Sequence, residues 1–384
     1  MKKIWTPFFI SIYFFMSYTY SQNDNRIIQT AMPFLSLVSD ARASAMGGTG
    51  VATNPDIFSQ NWNPAKYVFF KKKLGIGASY TPYLNRITND IFLGSIYGFK
   101  KLNNRSAWGV GFNYFNMGKV ELTETQGNSY ISQGILNPNE LTLDISYNLL
   151  LSDKFSMGVL ARWLHSNLQE AHGNNYIANG ISVGISGFYQ NKISEYSNCK
   201  IGFNISNIGP KLSYRKEERD FFIPTNLKVG VGYDFTFDNL NKLSFSLEAN
   251  KLLVPSPPIY NYIDKNNNGQ KDEKEPMQIV KGKNPNVSFL QGIFQSFSDA
   301  PMGLSEEIQE IIWNIGIEYD FQDIFFMRGG YFYENPNKGG RNYATTGVGF
   351  RLENLTINLS YLFSNSHVPN PLENSLGVSL EYNF

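Results

Sequence analysis

The chain has 384 residues, 33 basic against 32 acidic side chains, one cysteine and a mean hydropathy of −0.28. Balanced charge without a basic run gives no footprint for nucleic acid, low hydropathy excludes a polytopic helical membrane protein, and the lone Cys199 excludes an intrachain disulfide or cysteine-based zinc site. Phe, Tyr and Trp nevertheless make up 15% of the residues beside 33 Gly, a composition odd for a soluble protein and ordinary for a transmembrane β-barrel.

At the start, Lys2 and Lys3 precede an apolar run from Ile4 to Met16, and Thr19 and Ser21 occupy positions −3 and −1 of a cleavage site. Residues 1–21 therefore read as a secretory signal cut before Gln22. The alternative, an N-terminal anchor, suffers from the short run and from Pro7.

Residues 22–72 show no strand period and hold Gly47, Gly48, Gly50, Pro55 and Pro64 among short apolar pieces such as Ala31–Val38. They are expected to fold as a plug inside the lumen, with a periplasmic extension as the alternative. Glycines on the inward face of the strands (Gly109, Gly111, Gly184, Gly316, Gly347, Gly349) would leave room for a plug.

From residue 73 to the end, runs of about ten residues alternate apolar with small or polar side chains, the length a tilted strand needs to cross a bilayer. Leu141, Leu143, Ile145, Tyr147 and Leu149 oppose Thr142, Asp144, Ser146 and Asn148; Trp313 to Phe321 and Leu355 to Phe363 repeat the pattern. Fourteen such runs occur, near 73–81, 90–100, 106–116, 140–150, 155–165, 180–190, 197–207, 226–236, 242–252, 311–321, 324–334, 343–352, 354–363 and 375–384. The gaps between them alternate long and short without a break, the longest being 253–310. Short periplasmic turns and long external loops produce that parity; a β-sandwich has no reason to. The expected fold is a fourteen-stranded antiparallel outer-membrane barrel over 73–384, with both termini periplasmic, long loops extracellular and outer-membrane lipid around the wall. Tyr80, Tyr147, Trp163, Tyr189, Tyr233, Tyr319 and Tyr361 fall near strand ends, where aromatic girdles sit. Asp144, Arg162, Glu248, Glu318, Arg328 and Glu381 fall on the small-residue face, away from lipid.

Three motifs carry chemistry. Asp264, Asn266, Asn268, Gln270, Asp272 and Glu275, with Gly269 between them, have the spacing of a calcium loop, which asks for oxygen ligands at those positions and a glycine at the sharp turn. No helical pattern flanks them, so a structural Ca²⁺ competes with a plain solvated loop tip; no other cofactor is indicated. Gly180-Ile-Ser182-Val-Gly184 matches a nucleophile elbow, but that motif needs a strand–turn–helix context, and here it lies inside an alternating strand. Three histidines (His165, His172, His367) follow no metal-ligand spacing. No catalytic constellation emerges. Phe384 ends an aromatic strand with Tyr382 and is expected to serve as the signal read by the barrel-assembly machinery; the alternative is one more lipid-facing ring.

The stretch Ala43-Ser-Ala-Met-Gly47-Gly48-Thr-Gly50-Val-Ala, followed by Asn61-Trp-Asn63-Pro64-Ala65-Lys66, resembles the N-terminal hatch of FadL-like barrels. Pro33-Phe-Leu, Asp40-Ala-Arg42, Ser79-Tyr-Thr-Pro82, Ile223-Pro-Thr-Asn-Leu227, Phe294-Gln-Ser-Phe297 and Arg328-Gly-Gly-Tyr-Phe-Tyr-Glu334 resemble the PorV family, FadL-related barrels of the type IX secretion system. The resemblance implies a non-enzymatic barrel that docks on a SprA-type translocon. It would accept cargo proteins by a C-terminal β-sandwich signal domain and deliver them to an attachment complex with a PorU-type sortase. Within the 253–310 loop, the apolar, amidated stretch Val287–Phe297 is the expected contact with cargo or translocon, an ordered lid being the alternative. A FadL-like transporter of hydrophobic small molecules would use the same hatch. A lipid A deacylase would need a nucleophile beside His165 or His172.

Overall fold

The computed structural model describes residues 26–126, 129–168, 176–215, 220–263, 276–364 and 370–384. Fourteen antiparallel strands close into one barrel: β1 Leu74–Pro82, β2 Ile91–Lys101, β3 Ser106–Met117, β4 Asn139–Ser152, β5 Phe155–Asn167, β6 Ile177–Ser194, β7 Ser197–Ile208, β8 Asn226–Thr236, β9 Asn241–Leu252, β10 Ile311–Phe321, β11 Phe325–Tyr333, β12 Asn342–Leu352, β13 Leu355–Ser364 and β14 Leu376–Asn383. Each predicted run falls on one of them. β14 pairs back onto β1, with Ile76 opposite Tyr382 and Tyr80 opposite Val378, so no edge is left at the seam.

Alternation decides what faces where. On β4, Thr142, Asp144, Ser146 and Asn148 are buried in the lumen while Leu143, Ile145, Tyr147 and Leu149 are exposed on the wall. A charge moved from the inner to the outer face at mid-membrane would cost roughly 2–4 kcal/mol. Two aromatic belts ring the outside. Trp108–Tyr147, Tyr233–Phe235, Phe325–Phe350 and Tyr382–Phe384 lie toward one rim, and Tyr80–Phe92 and Tyr361–Phe363 toward the other.

The first rim carries only short turns: 102–105, 153–154, 195–196, 237–240, 322–324 and 353–354. The opposite rim carries every long connection, and among the described residues two of these hold strands that alternation does not announce. Within 118–138, Val120–Gln126 pairs with Ser129–Leu136. In the 253–310 loop, Ile259–Tyr262 pairs with Met277–Lys281, and two helices follow.

Residues 26–72 run lengthwise among the inward-facing side chains. Met32 and Phe34 cluster with Leu93, Phe115, Leu164 and Ala178 near the long-loop rim; Ile57, Phe58 and Tyr67 cluster with Tyr97, Phe99 and Ala107 near the short-turn rim. Two short helices lie between, α1 Ala41–Ala45 and α2 Ser59–Trp62. Asp40 caps α1 by accepting from Ala43 N and also accepts from Trp62 Nε1 at 2.7 Å. The N-terminal end itself, residues 1–25, lies outside the described residues. An even strand count returns both ends of the barrel to the short-turn rim; Arg26, the first described residue, lies at the long-loop rim, where it bonds Glu306 of the 253–310 loop at 3.1 Å.

Candidate functional site

Two constructions stand out, one in the lumen and one above it. In the lumen, charges on the strands meet partners on the N-terminal segment. Arg42 makes a bidentate pair with Glu318, 2.8 Å on both arms, and donates to Asp56 at 2.6 Å; Arg328 joins the same Glu318 at 2.7 Å. Glu248 Oε1 accepts from three consecutive amides, Gly50 at 2.7, Val51 at 2.6 and Ala52 at 3.3 Å, a backbone nest closed on a carboxylate. Leaving any one of these ions alone in the lumen would be strongly unfavourable, so they fix the segment's height and rotation.

The hatch-motif residues fall where backbones touch. A Cβ on Gly330 would stand 2.0 Å from Gly47 N, and Asn314 Nδ2 donates to Gly47 O at 2.5 Å. Gly47 and Gly48 have φ of 68° and 81°, a region open to glycine. A Cβ on Gly50 would sit inside the Trp62 ring. Asn63 donates to the carbonyls of Val51 and Gly187 at 3.0 Å, Pro64 opens a 3₁₀ turn over Pro64–Phe69, and Ala65 O accepts from Ser156. The inward glycines follow the expectation only in part. Gly109, Gly316 and Gly347 lie against the N-terminal segment, but Gly184 and Gly349 meet only other strands. A Cβ on Gly202, Gly232 or Gly330, which the sequence reading did not place against the N-terminal segment, would stand only 2.0–2.4 Å from Val51, Ala52 or Gly47. Spacing marks the small face of a strand but not which of its glycines a second backbone will touch.

Above the lumen, the 253–310 loop is anchored by an ionic network. Its helix α4, Leu304–Gln309, buries its acids: Glu306, Glu307 and the C-cap Glu310 are all under 8% exposed, whereas Leu304 is 75% and Ile308 56% exposed. Lys338 Nζ bonds Glu306 at 2.6 and Glu310 at 2.9 Å, and Lys251 Nζ bonds Glu307 at 2.9 and Glu310 at 2.7 Å. Glu307 also accepts from the amides of Asp299 and Ala300. Burial works against ionised Glu306, yet Lys338, the Met302 amide and Arg26 hold it below the usual carboxylate range. Burial pushes Asp299 up to about 6, with Glu307 and Glu310 adding to the effect. The helix is thus inside out. α3, Phe289–Gln295, has Ser288 as N-cap and likewise leaves Leu290 and Phe294 exposed. Phe297 and Met302 are exposed as well, so with Leu304 and Ile308 six large apolar side chains of this part of the loop are turned outward. The Val287–Phe297 stretch supplies three of the six; α4 was not legible, because Leu304-Ser-Glu-Glu-Ile308 gives two faces without saying which one has cations waiting for it.

Between the N-terminal segment and the inner faces of β8 to β12 lies a cavity of about 240 Å³, lined by Ile27, Trp62, Lys228, Glu310, Lys338 and Arg341 among others. Lys228 Nζ stands 4.3 Å over the Trp62 ring.

The remaining candidates separate. Asp264, Asn266, Asn268, Gln270, Asp272 and Glu275 lie outside the described residues; the flanking chain on both sides is strand. Among the described residues no cluster of metal-binding side chains occurs. Ser182 lies within β6, with no strand–turn–helix around it. His165 stacks on Trp163 and bonds Asn179 at 2.8 Å on the outer wall; His172 and His367 lie outside the described residues. Phe384 follows β14, donates its amide to Leu74 O and leaves its ring 64% exposed beside Tyr382.

The model of the type IX secretion system protein PorV matches residues 20–259, more than half of the chain. The chain belongs to the PorV family. Search among curated proteins finds no match. Among solved structures, the toluene transporter TbuX of Ralstonia pickettii aligns with 13% identity and a TM-score of 0.51, over 90% of this chain and 98% of that one. The toluene transporter TodX of Pseudomonas putida aligns with 11% identity and a TM-score of 0.54, over 91% and 98%. The monoaromatic hydrocarbon channel CymD gives 13% and 0.51, over 90% and 97%. At such identities the likeness is one of fold. A PorV-family chain that closes a fourteen-stranded barrel is an outer-membrane protein of type IX secretion.

Proposed function

We propose that this barrel is a non-enzymatic docking protein whose long-loop rim faces the cell exterior. It binds a SprA-type translocon, takes over cargo proteins by their C-terminal signal domains and presents them to a PorU-type attachment complex. The observation that carries this reading is the inverted loop: acids that would be content in water are buried on Lys251 and Lys338, and Leu290, Phe294, Leu304 and Ile308 are held outward. Fully burying one such side chain against a partner is worth roughly 1.5–3 kcal/mol, which is what a docking surface requires and a solvated loop does not. Residues 26–72 act in this reading as a plug, so cargo passes outside the lumen. Replacing Leu290, Phe294, Leu304 and Ile308 with Ser is expected to leave a heat-modifiable barrel in the membrane and to cut secretion of type IX cargo severely. Unchanged secretion with normal barrel levels would refute the docking role.

A second reading, transport of hydrophobic small molecules, is favoured by the 240 Å³ cavity, part of whose wall is made by Leu37, Val38, Trp62 and Phe332. It predicts detergent or lipid bound beside Trp62 and uptake that survives the four Ser substitutions.

A further inference from the structure

Outward-facing positions of the barrel strands are almost free of charge. Following the alternation along the fourteen strands leaves two charged side chains on the lipid side, Lys100 at the end of β2 and Lys251 at the end of β9. Lys251 is answered by Glu307 and Glu310 of the 253–310 loop. Lys100 is exposed, and among the described residues no acid or other acceptor answers its ammonium. Register fixes its place. Leu74, Lys100, Trp108 and Tyr147 stand opposite one another across β1 to β4, so Lys100 belongs to the aromatic belt of the short-turn rim, beside the Trp108–Tyr147 pair. A cation there lies at the level of lipid headgroups, its stem along the wall and its ammonium toward water.

The chain next to Lys100 is basic. Lys71, Lys72 and Lys73 lead into β1, and the Lys101 amide donates to the Lys73 carbonyl at 2.8 Å, which sets that run beside the end of β2. The turn from β2 to β3, Leu102-Asn-Asn-Arg105, ends on an exposed Arg105 that donates to the Leu150 carbonyl at 3.3 Å. Each of the other five short turns carries an acid: Asp153, Glu195, Asp238, Asp323 or Glu353. This one carries none. Around these cations the wall is apolar, with Leu102, Trp108, Tyr147, Leu149 and Leu151 all exposed. Among the described residues the Trp108 indole N–H and the Tyr147 hydroxyl make no hydrogen bond, so both donors are left to the interface, where such rings place their polar ends.

We propose that this corner of the barrel, Lys100 and Arg105 with Trp108 and Tyr147, binds the headgroup of an anionic glycerophospholipid. Its acyl chains lie on the wall of β2 to β4, and the two cations with the Trp108 N–H hold its phosphate. A zwitterionic lipid fits less well, because its own ammonium meets Lys71, Lys73, Lys100 and Arg105 with no acidic side chain to accept it. The site needs neither the docking nor the transport reading; it needs only a barrel set in a bilayer.

The test is native mass spectrometry of the full-length barrel, released from detergent micelles that carry equal amounts of dioleoyl phosphatidylglycerol and dioleoyl phosphatidylcholine. The wild type is expected to retain phosphatidylglycerol on the order of tenfold more, a preference that shrinks as ionic strength is raised, because exposed charges are screened. Lys100→Gln combined with Arg105→Gln is expected to remove the preference. Lys192→Gln combined with Lys242→Gln, which removes two cations elsewhere on the same rim, is expected to leave it intact. Heat-modifiability checks that each variant is a closed barrel, and the ionic-strength series on the wild type needs no variant at all. Equal retention of the two lipids by the wild type would overturn the proposal, as would a preference that survives loss of Lys100 and Arg105. An equal fall in both double variants would trace the effect to net charge and overturn the site as well.

Discussion

Gly330 and Gly184 look alike in the sequence, each a glycine within an alternating strand, yet their surroundings differ. A Cβ at Gly330 meets Gly47 N at 2.0 Å, whereas at Gly184 the nearest atoms stand at 3.5 Å. Gly330→Ala is expected to push the N-terminal segment off β11 and make residues 40–56 protease-sensitive in an otherwise assembled barrel, at a cost of about 1–3 kcal/mol; Gly184→Ala is expected to change neither. Equal protease resistance in the two variants would contradict the close seating. The buried charges tell the same story: their placement on the small-residue face was legible from parity alone, but the partner of each was not. Glu248 could have met water or a cation; it meets three amides of Gly50, Val51 and Ala52.

Elements were legible to different degrees because they answer to different forces. A strand facing lipid must alternate, so all fourteen were readable to within a few residues. A loop helix in water has no such obligation, and α4 follows its cations instead of its apolar residues. Asp299 reports on that anchoring. Its carboxyl, ordinarily near 3.8, is pushed up to about 6 in the folded loop. The folded state thus binds the proton more tightly, and the stability it gives is full below pH 4 and lost as pH rises through about 6. Asp299→Asn keeps an acceptor for the Ser256 amide and removes the titration. Urea-induced opening of the loop should therefore be harder in the variant at pH 8, by about 1–2 kcal/mol after solvent screening, and the difference should shrink toward pH 4.5. A difference independent of pH would assign the anchoring to other groups.

For the molecule as a whole, the barrel fold is shared with hydrocarbon transporters and says little about cargo; residues that fill the lumen and invert the loop carry the functional argument. In the docking reading proposed above, the segment seated by Arg42, Glu318 and Glu248 acts as a plug and a partner protein binds outside the barrel, on the outward-turned side chains of the 253–310 loop. The most direct measurement is affinity purification of the tagged barrel from native outer membranes in gentle detergent, wild type beside the Leu290, Phe294, Leu304 and Ile308 to Ser variant. A very large translocon subunit and secreted cargo should copurify with the wild type and be lost from the variant at equal barrel recovery. Their retention by the variant, or their absence from both, would contradict the account.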